Sequence, residues 1–145
     1  EAAADYYVET FRQMGRPASI ESVARYGPNM PQPEGGVMTV TFTLAGQDFM
    51  ALNGGPIFTH SPAMSLMVKC ADQAELDGFW DRLLAGGAPS QCGWLTDRFG
   101  VSWQIVPESL ERLVGGDAGQ SAKVMAAVMG MVKLDIAALE RAAAG

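Results

Sequence analysis

The segment Gly100-Val-Ser-Trp-Gln-Ile-Val-Pro107 matches Gly46-Gln-Asp-Phe-Met-Ala-Leu-Asn53, which lies earlier in the chain. In this alignment Phe49 corresponds to Trp103, and Met50 corresponds to Gln104. A second block recurs at a constant offset of its own, in which Asp5, Tyr7, Phe11 and Gly15 match Asp77, Phe79, Leu83 and Gly87. Two blocks repeated in the same order indicate that the fold contains two related units.

Local patterns assign secondary structure to each copy. Apolar spacing predicts helices over 2–15 and 72–86, with Asp72 as the N-cap of the second helix and Gly86-Gly87 as its end. Runs rich in β-branched and aromatic residues predict strands over 19–27, 37–44, 47–53, 64–70, 90–95 and 101–106. The tail from Glu108 onward is helical, with a glycine-rich break at 115–119 and a longer helix over 121–141.

The order of these elements predicts an α+β fold. The second copy has a strand, 64–70, before its helix, and the offset between the two helices places the first copy's opening strand upstream of residue 1. We therefore expect one domain over 1–145, with module one over 1–56, module two over 62–107 and a helical tail over 108–145. Two units that each cover one sheet face with a helix would bring their other faces together as a cup with a cleft inside.

Composition excludes several classes of partner. The chain has a net charge of -6 and only ten Lys and Arg, so a nucleic-acid or anionic membrane surface is not expected. No apolar run reaches the roughly 18 residues of a membrane span, and the acidic start shows no signal-peptide pattern. Cys70 and Cys92 could form a disulfide, but buried free thiols in a cytoplasmic protein are the expectation.

Three stretches carry a family resemblance: GQDFMALNGGP (46–56), QCGWLTDRFGVSWQIVP (91–107) and VKLDIAALERA (132–142). Together they resemble the PhnB-like branch of the vicinal oxygen chelate, or glyoxalase-like, superfamily. Some members carry the label demethylubiquinone methyltransferase. The resemblance implies paired βαβββ modules, usually assembled as a homodimer. It also implies a divalent metal held by His and Glu side chains on the first and last strands of each module.

The metal positions can be compared one at a time. Gln104 stands where a Glu is expected, Met50 occupies the equivalent place in module one, and Ala63 or Ser65 stands where a His is expected. A neutral amide and a thioether are poor substitutes for imidazole or carboxylate, so we expect no catalytic metal and no other cofactor. The methyltransferase label is not supported either, because the 17 glycines include no Gly-x-Gly and no phosphate-binding loop.

The resemblance and strand alternation give five candidate cleft-lining residues: Met50, Ser65, Gln104, Trp94 and His60. His60 could act as a general base, but a lone loop histidine is more often idle. Trp94 could serve a cleft or a dimer contact. The sequence therefore favours a protein that binds an unidentified small molecule in the cup without a metal. A metal-dependent lyase, isomerase or dioxygenase of the superfamily is the alternative, and a purely structural module stays open.

Overall fold

Two units follow one another along the chain, and each contains a small β-sheet with one helix packed on it. The computed structural model describes residues 1–145, which divide into a first unit, 1–59, and a second unit, 60–145. The first unit contains α1 (Ala2–Gln13), β1 (Ala18–Arg25), β2 (Val37–Leu44) and β3 (Gln47–Leu52). The second contains β4 (Leu66–Cys70), α2 (Gln73–Leu84), β5 (Ala88–Pro89), β6 (Trp94–Thr96), β7 (Ser102–Pro107), α3 (Leu110–Val114), α4 (Ala118–Met129) and α5 (Ile136–Ala144). The expected module boundaries, 1–56 and 62–107, lie within these units.

The first sheet follows from the alternating pattern of β2. Its strands are antiparallel in the order β1-β2-β3. On β2, Val40, Phe42 and Leu44 are buried, while the threonines between them face the other way. The ring of Phe42 lies 6.4 Å from that of Tyr7 on α1 and stacks at 5.4 Å on Phe49 of β3. Helix α1 therefore covers one face of this sheet and leaves the threonine face uncovered by it.

The second sheet has four strands in the order β4-β7-β6-β5, with β4 parallel to β7 and the other pairs antiparallel. Helix α2 connects β4 to β5 and buries Leu76, Phe79, Trp80 and Leu83. Trp103, Ile105 and Leu95 are buried on the strands. Since side chains alternate along a strand, these residues mark the face on which α2 packs.

Helix α2 begins and ends where the sequence predicts a boundary. The Asp72 carboxylate accepts the N–H of Glu75 at 2.8 Å, which satisfies one free donor of the first turn. After the helix, Gly86 adopts a positive φ of 80°. A Cβ on the next residue, Gly87, would lie 2.0 Å from the backbone oxygen of Thr96, so the chain passes β6 too closely for any side chain.

The internal repeat is also present in the packing. In the helix alignment from the sequence, the buried Ala4, Tyr7, Val8 and Phe11 of α1 correspond to the buried Leu76, Phe79, Trp80 and Leu83 of α2. Gly46 and Gly100, which precede β3 and β7, both have positive φ, 85° and 84°. The α+β fold class with two related modules and C-terminal helices is confirmed.

The two sheets differ by one strand. Strand β7 is paired on both edges, by β4 and by β6, whereas its repeat counterpart β3 is paired only with β2. The first sheet thus lacks a counterpart of β4, which agrees with the sequence expectation for module one. The free edge of β3 carries a single charged residue, Asp48, and no proline or lysine.

The predicted continuous helix over 121–141 is wrong. Helix α4 ends at Gly130, whose N–H bonds to the carbonyl of Ala127, and α5 begins only after Asp135. The Asp135 carboxylate caps α5 by accepting the N–H of Ala138 at 2.8 Å. The apolar stripe continues across the break, with Leu134 buried between the helices, and the stripe alone does not reveal the interruption.

The predicted strand over 90–95 is also wrong at its start. Cys92 and Gly93 have positive φ values of 61° and 82°, so these residues form a turn, and β6 covers only Trp94–Thr96. Both cysteines are free. Cys70 is buried as expected, whereas Cys92 is half-exposed, with its sulfur 3.6 Å from that of Met129.

No helix of the chain combines the length and the apolar character that crossing a membrane would require.

Candidate functional site

The face of the second sheet opposite α2 carries a row of three side chains on three adjacent strands. Gln104 of β7 pairs with Met67 of β4 on one side and with Trp94 of β6 on the other. Because Trp103 faces α2, its neighbour Gln104 faces away from that helix. Met67 is 51% exposed, and Gln104 and Trp94 are half-exposed. We call Met67, Gln104 and Trp94 the central row.

A second row, rich in hydroxyl groups, lies beside the central row. Thr96 pairs with Ser102, and the register of β4 places Ser65 level with Ser102 on the same face. The amide Nε2 of Gln104 donates to the Ser65 hydroxyl at 2.8 Å, which joins the two rows. We call Ser65, Ser102 and Thr96 the hydroxyl row.

Three of the five sequence candidates therefore lie together: Ser65, Gln104 and Trp94. His60 lies in an exposed loop, where its Cβ is 4.0 Å from the position that a Cβ on Gly100 would occupy. Met50 belongs to the first unit, is 67% exposed, and pairs with Thr41 on the face opposite α1. There the Thr41 hydroxyl lies 2.6 Å from that of Ser22.

Sequence reasoning missed Met67, Ser102 and Thr96. The period of two along each strand would have indicated Ser102, which is two residues before Gln104, and Met67, which is two after Ser65. Placing Met67 beside Gln104 requires the parallel pairing of β4 with β7, whose register is not visible in either strand alone.

The charged group nearest to these rows along β4 is paired. Lys69 follows Met67 on the same side of the strand, and its Nζ lies 2.5 Å from the Glu111 carboxylate of α3. The ion pair is largely exposed, so it contributes little to stability, but it partly offsets the lysine charge at that side of the face.

A buried carboxylate shapes the turn that leads from β6 to β7. Asp97 is 3% exposed, and its Oδ1 accepts the backbone N–H groups of Phe99 and Val101 at 2.8 and 3.1 Å. Its Oδ2 accepts the indole Nε1–H of Trp103 at 2.8 Å. The carboxylate thus fixes the hairpin that places Trp94 beside Gln104, and we assign it a structural role.

The C-terminal tail holds the loop that precedes Trp94. The backbone N–H groups of Cys92 and Gly93 donate to the carbonyls of Met131 and Val132 at 2.7 and 2.8 Å. The carbonyl of Gly93 in turn accepts the N–H of Ile105 on β7 at 2.8 Å. These bonds connect the segment between α4 and α5 to β7, the strand that carries Gln104.

The tail is also attached to α2. The side chain of Gln73 donates to the carbonyl of Leu134 at 3.1 Å and accepts the N–H of Ile136 at 2.9 Å. Lys133 forms an ion pair with Asp77 at 2.8 Å. Hydrogen bonds from Lys133 and Gln73 lower the pKa of the Asp77 carboxyl below its ordinary value.

The residues at the positions of the superfamily metal do not fit such an ion. Ser65 offers a hydroxyl that already accepts from Gln104, Gln104 offers a neutral amide, and Met50 offers a soft thioether. No group of three or more His, Cys, Asp or Glu side chains in the chain is arranged to hold a metal.

Comparisons with known proteins identify relatives of this chain. The family model described as 3-demethylubiquinone-9 3-methyltransferase matches residues 1–106. The PhnB protein from Bacillus cereus, which carries the same description, is 37% identical, with 73% of this chain and 88% of that chain covered and a TM-score of 0.64. Protein PA1353 from Pseudomonas aeruginosa shares the fold at 21% identity, with 74% and 88% covered and a TM-score of 0.58.

No curated protein matches the chain. The methyltransferase description is a family name, and it does not establish an activity. The family match covers more than half of the chain and takes in nearly all of both repeated blocks, and the Bacillus cereus relative agrees with it in sequence as well as in fold. The chain therefore belongs to the PhnB-like family described as 3-demethylubiquinone-9 3-methyltransferase.

Proposed function

We propose that this chain binds a small molecule on the face of the second sheet opposite α2, and that binding uses no metal ion. The observation that carries the proposal is the Gln104–Ser65 hydrogen bond, set between half-exposed Met67 and Trp94. A ligand site typically combines apolar and aromatic surface with a few polar groups that fix the ligand's orientation. The central row and the half-exposed Ser65 and Thr96 of the hydroxyl row have this composition, whereas Ser102 is buried.

The metal-dependent enzymes of the superfamily are the alternative, and no contact in the chain favours them. A lyase, isomerase or dioxygenase of that kind needs a metal that polarises an oxygen or activates water. The donor atoms of Met50, Ser65 and Gln104 are neutral, so they would hold a hard or borderline divalent cation weakly. Methyl transfer lacks support as well, because the sequence has no glycine-rich turn for a nucleotide-type cofactor.

The test is a ligand screen combined with metal analysis. Purified protein is screened by thermal shift against a library of charged and uncharged small molecules, and each hit is repeated with Gln104→Ala. As a control, Gln47→Ala removes an exposed glutamine at the start of β3 in the first unit. We expect Gln104→Ala to weaken binding and Gln47→Ala to leave it unchanged.

Metal dependence is measured on the same hits. Binding should be unchanged by a chelator and by added zinc, nickel, manganese or iron. Stoichiometric metal that is lost in Gln104→Ala, or hits that disappear with the chelator, would refute the metal-free proposal. Hits that bind equally well to Gln104→Ala would place the ligand elsewhere.

A further inference from the structure

The central row has the width of a small planar molecule. Adjacent strands lie about 4.8 Å apart, so Met67, Gln104 and Trp94 on three neighbouring strands span roughly 10 Å. This width suits a molecule of two fused rings lying across the strands. A much smaller ligand would contact only two of the three side chains.

The two ends of the row favour an aromatic ligand. Trp94 presents an indole surface, on which flat rings pack in offset or edge-to-face arrangements. Met67 presents a thioether, which adapts its shape and makes favourable contacts with aromatic rings. Both side chains are partly exposed, and a ligand can reach them.

The middle of the row supplies a hydrogen bond. Because Nε2 of Gln104 donates to Ser65, the amide oxygen stays on the same face as an acceptor. If the amide is turned over, Ser65 donates to the oxygen and the amide NH2 becomes the available donor. A ligand hydroxyl serves both cases, since it can donate or accept.

The rows contain no ionised side chain. The hydroxyl row and the central row are neutral, and Lys69 is paired with Glu111. A charged ligand would therefore lose hydration on this face without gaining an opposite charge. An uncharged ligand loses much less.

We infer that the site binds an uncharged planar aromatic molecule, about two rings wide, with a hydroxyl group directed at Gln104. This inference rests on the proposed function and specifies the class of ligand for the same face. It does not depend on any residue of the first unit.

The experiment uses the methyl groups of the nine methionines, none of which is buried, as NMR reporters in the full-length chain. The probes are 2-naphthol, naphthalene-2-sulfonate and decahydro-2-naphthol, which differ in charge and planarity. We expect 2-naphthol to shift the Met67 methyl resonance saturably and to leave Met125, exposed on α4, unshifted. The sulfonate and the saturated alcohol should bind at least about tenfold more weakly, which corresponds to about 1.4 kcal/mol.

Variants separate recognition from folding. Gln104→Leu should weaken 2-naphthol binding about tenfold, as expected for the loss of one hydrogen-bonding partner. Trp94→Leu should weaken it by a similar factor. Met67→Leu, a swap of similar volume, should change it by less than about threefold; because this variant lacks the Met67 methyl, its binding is measured by equilibrium dialysis. Far-UV circular dichroism confirms that each variant is folded, and Met67→Leu shows whether the row tolerates substitution.

Each result has a defined meaning. Equal or tighter binding of the sulfonate or of decahydro-2-naphthol at Met67 would overturn the ligand class and leave the proposed function standing. A library molecule that shifts the Met67 resonance when 2-naphthol does not would likewise overturn the ligand class and leave the proposed function standing. If neither the probes nor any library molecule shifts Met67, both the inference and the proposed function are wrong.

Discussion

Removing the carboxylate of Asp97 should strongly destabilise the second unit. In Asp97→Ala, the indole N–H of Trp103 and the backbone N–H groups of Phe99 and Val101 lose their acceptor. The two backbone groups lie in a partly exposed turn, where water can replace the carboxylate. Trp103 is only 1% exposed, so its indole N–H would stay buried and unsatisfied.

The magnitude follows from these three bonds. A hydrogen bond to a charged group contributes about 1.5–3 kcal/mol, and an unsatisfied buried donor costs about 1–3 kcal/mol. Water can rehydrate the two backbone N–H groups, so most of the loss comes from the buried indole N–H of Trp103. Asp97→Ala should therefore lower the free energy of unfolding by about 3–4 kcal/mol. That is a large share of the roughly 5–15 kcal/mol typical of a domain. Asp97→Asn keeps one oxygen acceptor, so we expect a loss of about 1–2 kcal/mol.

The assay is urea denaturation followed by tryptophan fluorescence, with the Trp103 indole N–H resonance recorded by NMR. Asp81→Ala is the matched control, because Asp81 is an exposed aspartate on α2 and its replacement should change stability by less than about 0.5 kcal/mol. If Asp97→Ala costs less than about 1 kcal/mol and the Trp103 resonance does not move, the structural role assigned to this carboxylate is wrong.

Three further outcomes can be measured on the same protein. Lys133 lowers the pKa of the Asp77 carboxyl below its ordinary value of 3.8. The stability that the Asp77 carboxylate contributes is therefore present above pH 3.8 and is lost as the pH falls through the lowered pKa. Lys133→Met should reduce this loss of stability in acid, measured by denaturation curves. Gly87→Ala should lower the free energy of unfolding by more than about 2 kcal/mol, because the added methyl would overlap backbone atoms. Gly27→Ala is the control: the nearest atom to its added methyl lies at 3.9 Å, so the free energy of unfolding should change by less than about 1 kcal/mol. We also propose a homodimer that uses the exposed side of the C-terminal helices and of the segment between them. Sedimentation at micromolar concentration should then give twice the 15.4 kDa of one chain, and a single species at 15.4 kDa would exclude the dimer. Val132→Asp, in the segment between α4 and α5, should favour the monomer.

Local pattern was sufficient for the regular parts of the fold. Strand β2 has its predicted bounds, 37–44, because its β-branched and aromatic residues alternate without interruption. Helix α2 begins after Asp72 because the cap is a property of a few neighbouring residues. Strand alternation puts Gln104 and Trp103 on opposite faces, and the resemblance to the PhnB-like family is what indicates that Gln104 is on the cleft side.

The two wrong secondary-structure predictions lie where contacts with distant segments determine the backbone conformation. The strand predicted over 90–95 fails at residues 90–93, because the turn at Cys92 is held by the carbonyls of Met131 and Val132, which lie far later in the chain. The predicted helix over 121–141 fails in the same region, because residues 130–135 form the segment that makes those bonds. The two errors therefore have one cause, which neither stretch shows by itself.

Residues 131 and 132, whose carbonyls fix the loop before Trp94, lie outside the family match, which ends at residue 106. The contact is made by main-chain carbonyls, so the side chains around residues 131 and 132 can change while the bonds are kept. Two PhnB-like proteins with the same sheet could thus differ in the position of this indole without a single difference in their strands. Exchanging tails between such relatives would move this indole while leaving the sheet intact.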